Sequence, residues 1–286
     1  MPVTDTPLRY PGGKSQLAPL VIDVLKQNRL LYGNYAEPFV GGAGLALKLL
    51  LNSYVSHIYI NDIDRAIYAF WHTVLHNTDD LCARIKSAPV TVTEWRRQRA
   101  LQDQRYSLLT DLGFSTFFLN RTNRSGIIRG GIIGGLDQRG NFKIDCRFNR
   151  DDLIRKIRRI ASHRNQISLS RLDALSFLTT VVPEIKGATL VNLDPPYMKN
   201  GPELYRNHYT LEDHSDLAKA VRRIKQRWMV TYDDTAEARA LYEKFPSFTQ
   251  ELNYTAQIKR VGVELLVLDP RLKLPNCLVP NERLAA

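Results

Sequence analysis

Short apolar runs alternate with amphipathic stretches along most of this 286-residue chain. Behind a tight glycine turn at Arg9–Lys14, the apolar positions Leu17, Leu20, Val21, Val24 and Leu25 recur at helical spacing. Asn34–Phe39 predicts a short strand that runs into Gly41-Gly42-Ala43-Gly44, and helical periodicity resumes through Leu45, Leu49 and Leu50. His57–Asn61 predicts a second buried strand, ending at Asp62. From about Asp64 to Asn165 the pattern is helical and basic, with one glycine-rich interruption at Gly126–Gly140. Strand signals return at Gln166–Leu169, Ala188–Leu193, Trp228–Thr231 and Gly262–Leu268, with helical patterns between them such as Leu211–Arg227. Strands alternating with helices on both sides of a helical block predict an α/β fold: a doubly wound, Rossmann-like parallel sheet carrying an inserted helical domain. The expected division is a discontinuous sheet domain at 1–63 and 166–286, with an insertion at 64–165.

Composition narrows the class. Apolar residues make up 44% of the chain, which excludes disorder, and no apolar run reaches the length of a membrane span. Met1–Asp5 shows neither the basic nor the apolar region of a signal peptide. Cys82, Cys146 and Cys277 are far apart and follow no ligand spacing, so a cytoplasmic protein without disulfides or metal is expected. The net charge of +11 suggests a polyanionic partner. Its distribution adds to this: of 17 basic residues between Glu94 and Arg171, 15 are arginine, the side chain suited to bidentate phosphate and guanine contacts.

The candidate chemistry centres on Asp194-Pro195-Pro196-Tyr197, which follows the apolar run Ala188–Leu193. The prolines stiffen the turn. Asp194 and the Pro195 carbonyl are then placed to accept from a ring amino group while Tyr197 stacks on the ring, as a flipped nucleobase requires; a plain strand-end turn is the other reading. The glycine loop with Asp62, 18 positions after Gly44, suggests a nucleoside-containing cofactor whose ribose Asp62 holds. Glu37 either orients that loop or caps the next helix. Lys14 is either a solvated lysine or a clamp for a carboxylate. Asp173 is either an adenine contact or an N-cap. Phe117–Gly126 combines apolar anchors with Asn120, Arg121, Asn123 and Arg124, and Gly140–Ile144 suggests a hairpin arm, both suited to base edges.

In order along the chain these segments resemble the Dam-type DNA adenine methyltransferases. Leu8–Lys14 looks like the family's methionine-contacting motif, which includes Tyr10 and Lys14. Glu37–Gly44 is similar to its cofactor loop, with Glu37, Phe39, Gly41 and Gly44, and Asn61–Asp64 to its ribose-binding turn. Phe118–Arg124 and Gly140–Arg147 resemble its recognition helix and hairpin, implying DNA contacts by Arg121, Asn123, Arg124, Asn141, Lys143 and Arg147. Asp194–Tyr197 matches the catalytic turn letter for letter, and Tyr209–His214 and Val263–Leu266 look like the later helix start and last strand. Two departures stand out: Tyr10 and Pro11 replace the usual tryptophan and alanine, and Gly126–Gly140 is longer and richer in glycine.

The resemblance implies transfer of a methyl group from S-adenosylmethionine to adenine N6 in double-stranded DNA, by base flipping and without a metal. A monomer is expected. The setting is a restriction-modification pair, a phage or a solitary enzyme. Cytosine N4 methylation shares the amino chemistry but more often begins its turn with serine. A protein glutamine substrate goes with asparagine there, and the arginine-rich insertion argues against it. A catalytically silent DNA-binding relative would need neither the intact turn nor the glycine loop.

Overall fold

The computed structural model describes residues 4–9, 14–198, 209–254 and 260–274. Seven strands form one sheet: β1 (Asn34–Glu37), β2 (His57–Asn61), β3 (Ile167–Ser170), β4 (Thr189–Leu193), β5 (Arg227–Asp233), β6 (Ser247–Tyr254) and β7 (Arg260–Leu268). Their order is β3-β2-β1-β4-β5-β7-β6. The first five run parallel, while β7 is antiparallel to both of its neighbours. The sheet is therefore mixed where the sequence predicted a parallel one. Strand β6 gave no signal because it is an edge strand, where Phe248 is buried beside exposed Thr249 and no continuous apolar run is needed.

Strand alternation sorts the core into two layers. Tyr35, Leu190, Met229 and Leu266 face one side, with α1 (Ala18–Gln27), α2 (Gly44–Leu51) and α3 (Arg65–His76). Ala36, Val191, Val230 and Leu265 face the other, with α9 (Leu211–Val221) and the short helical stretch from α8 (Ala174–Ser176) to Glu184. A sheet covered on both faces is the doubly wound α/β arrangement.

Between β2 and β3 the chain is helical: α3 is followed by α4 (Thr78–Ser87), α5 (Val92–Gln102), α6 (Leu109–Thr122) and α7 (Arg150–Ala161). These helices share one apolar core with the sheet, running from Ile60 and Leu45 to Phe70, Phe117 and Ile157. The α3–α6 crossing is close because Gly113 offers no side chain; a Cβ there would lie 2.3 Å from Thr73 Oγ1. Helix α7 is strongly amphipathic, burying Leu153, Ile157 and Ile160 while Arg155, Arg158 and Arg159 face out and pair with Asp152, Asp79 and Asp5.

The stretch from Asn123 to Asn149 contains turns in place of the expected hairpin arm at Gly140–Ile144. Positive φ at Gly134, Gly135 and Gln138 breaks any extended run. The Gln138 side chain stands in for a strand partner, donating to the Ile133 and Gly135 carbonyls and accepting from Ile144 N–H. Asn123 anchors the beginning of the stretch. It is fully buried, accepts from Trp95 Nε1 at 2.6 Å and donates to the Ile127 and Ile128 carbonyls at 2.9 and 2.8 Å. Asn123→Ala leaves those three groups without their partner, and should lower unfolding free energy by ~3 kcal/mol in a denaturant titration.

Candidate active site

Asp194 leaves the central strand β4 beside β5, and β5 fixes it. Thr231 Oγ1 donates to Asp194 Oδ1 at 3.0 Å, and the Met198 N–H donates to Asp233 Oδ1 at 3.2 Å. Pro195 and Pro196 are buried while Asp194 and Tyr197 remain partly exposed, so the turn presents its carboxylate and its aromatic ring.

Lys14 reaches this turn from the start of the described N-terminal helix. Its ammonium lies 3.3 Å from Asp194 Oδ1, donates to Tyr197 Oη at 2.6 Å and pairs with Glu264 of β7. Tyr197 Oη in turn donates to Glu264 Oε1. Lys14 and Glu264 are only 6% and 2% exposed, which rules out the solvated-lysine reading. Each of the three ammonium hydrogens has a protein partner, so a clamp on a cofactor carboxylate requires one of them to be released. Burial pushes the Asp194 carboxyl upward and the Lys14 charge opposes it. Glu264 is raised by burial, lowered by Lys14 and raised again by Asp194.

The glycine loop lies at the end of β1, the strand next to β4. Gly41 has φ +44° and Ala43 φ +51°, and α2 starts from Ala43 without a side-chain cap, leaving its first N–H groups to the loop's own surroundings. Asp62 holds this loop: Oδ2 accepts from Gly41 N–H and Oδ1 from Asp64 N–H, each at 2.9 Å. Burial pushes Asp62 up to about 7, against those two hydrogen bonds. Asn61, placed in the same turn by the sequence but given no role of its own, is the clamp behind it. Its amide donates to the Pro38 and Leu172 carbonyls and accepts from Ser170 Oγ and Leu172 N–H, tying the ends of β1, β2 and β3 together.

Glu37 is buried and does not cap α2. It accepts from Tyr35 Oη at 2.7 Å, and burial, reinforced by Asp194, raises it to about 8. Phe39 packs edge-on against Tyr209, with ring centroids 5.7 Å apart. Gly44 is not sterically required, since a Cβ there would make ordinary contacts with Ser15 Cβ at 3.7 Å and Thr6 Cγ2 at 4.0 Å. Asp173 is an N-cap, accepting from Ser176 N–H at 2.9 Å and from Ser176 Oγ. Tyr10 lies outside the described residues.

The arginine-rich segment divides into internal ties and exposed groups. Arg121 donates to the Arg147 and Pro7 carbonyls, and burial next to Arg9 lowers it to about 10. Asn123 is consumed in the interior, so the expectation that it reads bases is corrected: both ends of its amide are already bonded. Arg124, Asn141 and Lys143 are exposed, and Arg147 is half-buried. Asn120 laces the N-terminal segment to this region, accepting from Arg9 N–H and donating to the Arg9 and Gly126 carbonyls. Among the described residues no group of three or more His, Cys, Asp or Glu is placed to hold a metal, and no helix is long and apolar enough to cross a membrane.

Among solved structures the chain is similar to the rRNA methyltransferase AviRa of Streptomyces viridochromogenes, at 13% identity and TM-score 0.38 over 91% of this chain and 85% of that one. It is also similar to precorrin 8w decarboxylase of Methanobacterium thermoautotrophicum, at 13% identity and TM-score 0.38 over 92% and 93%. An rRNA methylase of Streptococcus thermophilus matches at 9% identity and TM-score 0.32 over 87% and 93%. These scores are too low to add to the topology described above. No curated protein matches. The family match is the informative one: residues 10–257, spanning the glycine loop, the helical segment and the Asp194 turn, match the D12 class N6 adenine-specific DNA methyltransferases, and the chain belongs to that family.

Proposed function

We propose that the protein binds S-adenosylmethionine over the glycine loop and methylates N6 of an adenine flipped out of duplex DNA. One observation carries this reading. The Asp194 turn and the glycine loop leave the ends of adjacent parallel strands, β4 and β1, where the sheet order reverses, and ligands of open α/β sheets bind in that crevice.

The residues at β1 and β2 suit the cofactor. Asp62 is a half-buried carboxylate whose charge a ribose diol would offset with two donors. The uncapped start of α2 offers N–H groups to an anionic group. We assign Glu37, Phe39, Gly41 and Gly44 to the same cofactor region. Asp173 can reach adenine only by sharing the oxygens that now cap its helix, and Lys14 a carboxylate only by releasing a partner. When bound, S-adenosylmethionine would supply an electrophilic sulfonium methyl: the N6 lone pair would form the new N–C bond as the C–S pair stays on sulfur, and the proton then lost from N6 would pass to Asp194 or to water.

The chain's own part is to prepare that lone pair. Adenine N6 is a poor nucleophile because its lone pair is delocalised into the ring. Hydrogen bonds from the amino group to Asp194 and to the Pro195 carbonyl favour a localised, tetrahedral nitrogen. Among the described residues the contacts of Asp194 fall on Oδ1, which leaves Oδ2 to the substrate. Tyr197, with its hydroxyl held, provides the stacking face. Proximity and a fixed polar environment supply the rate. Arg124, Asn141, Lys143 and Arg147 are the groups we assign to DNA, with Arg121 shaping their support.

Two outcomes follow. Asp194→Ala should lower kcat by ~10²–10³-fold, the scale for a removed transition-state partner, with duplex affinity unchanged in an anisotropy titration. Near-normal turnover would contradict the mechanism. For Asp62, only the ionised carboxylate accepts both ribose hydroxyls, and its ordinary value is raised to about 7. Affinity for S-adenosylmethionine should therefore rise with pH through about 7 and level off above it. Asp62→Asn should bind about 1.5–3 kcal/mol more weakly at high pH and lose this pH dependence. Calorimetry across the range checks both.

A further inference from the structure

Glu264 lies in Val263–Leu266, a segment that resembles only the family's last strand and was given no chemical role, yet it sits at the centre of the site. It comes from β7, an antiparallel strand far from the catalytic turn in sequence, and is 2% exposed. It pairs with Lys14, which reaches Asp194, and accepts from Tyr197 Oη, from the same turn as Asp194. Lys14 is thus shared between two carboxylates, with Asp194 the more distant partner at 3.3 Å.

We infer that Glu264 is a positioning residue for methyl transfer, drawing the Lys14 ammonium away from Asp194 and anchoring the Tyr197 hydroxyl. This rests on the proposed role of Asp194 as acceptor of the adenine amino group. The reasoning is electrostatic. A lysine paired solely with Asp194 would occupy the carboxylate and weaken it as an acceptor for a neutral amine. A second carboxylate on the opposite side of the ammonium divides that charge. The Lys14–Glu264 pair is almost dry and so little screened by solvent or salt. The hydrogen bond from Tyr197 to Glu264 also limits rotation of the phenol, fixing the plane on which the flipped ring stacks. The same arrangement explains why Lys14 is buried: with two carboxylates and a hydroxyl around it, its charge is compensated.

The test uses the full-length protein and its Glu264→Gln and Glu264→Asp variants on duplex DNA with S-adenosylmethionine. It measures kcat against pH, both ligand affinities, and folding by circular dichroism. Among the described residues the groups on Asp194 are Lys14 and Thr231, with the Tyr197 hydroxyl on Lys14, and Glu37, Tyr35 and Glu264 interacting with Asp194 electrostatically. Of these, the variants change only Glu264.

Glu264→Gln should lower kcat on the order of 10²-fold, the scale of a misplaced reacting group, with duplex affinity unchanged and S-adenosylmethionine bound no more weakly than by the wild type. The acid limb of the kcat profile should move to lower pH, because the whole Lys14 charge then favours ionised Asp194. Glu264→Asp, whose carboxylate is withdrawn by one methylene, should move both quantities the same way by less. It carries the test if the glutamine variant does not fold. A folded variant with wild-type kcat, or with reduced kcat and an unmoved acid limb, would overturn the inference and leave Glu264 a packing residue. Absence of adenine methylation by the wild-type protein would instead remove the proposed function, and this inference with it.

Discussion

One buried ammonium organises the catalytic end of this molecule. Lys14 connects the N-terminal segment, the turn after β4 and strand β7, which come from three distant parts of the chain. An unpaired ammonium at that depth would cost several kcal/mol, so the three segments are held to one arrangement. Asp194, Tyr197 and Glu264 are consequently tied to one another through Lys14. The sheet supplies the rest of the constraint, since Thr231 on β5 donates to the same Asp194 oxygen that Lys14 approaches.

A second set of polar ties has a similar logic. Asn61 closes the ends of β1, β2 and β3 with one amide, and Asp62 fastens the glycine loop immediately in front of it. Asn120 does the equivalent work between Arg9 and Gly126, connecting the segment that leads to Lys14 with the one that carries Arg124. The N-terminal strap therefore touches both the catalytic cluster and the region we assign to DNA. Displacement at one end has a direct covalent route to the other.

The strand-helix alternation was legible in the sequence because β2, β4 and β5 carry apolar runs and β1 leads straight into a glycine turn. Strand β6 was not, since an edge strand needs only one buried face, and the antiparallel setting of β7 leaves no mark on its own residues. The catalytic turn was legible because two adjacent prolines between Asp194 and Tyr197 are unusual and rigid. Glu264 was hidden in an ordinary-looking apolar strand, Val263-Glu264-Leu265-Leu266, and becomes informative only when folding brings Lys14 to it. The arginine-rich segment misled in part. Arg99, Arg121 and Arg150 spend their forked donors on backbone carbonyls, and Asn123 is an interior anchor. Polar residue type suggested recognition, but burial decided otherwise.

The most direct measurement is of the product base. Duplex DNA is incubated with the purified protein and S-adenosylmethionine carrying a deuterated methyl group, digested to nucleosides and analysed by mass spectrometry. The account predicts the label in N6-methyladenine alone. Label in N4-methylcytosine, or none in DNA, would contradict it.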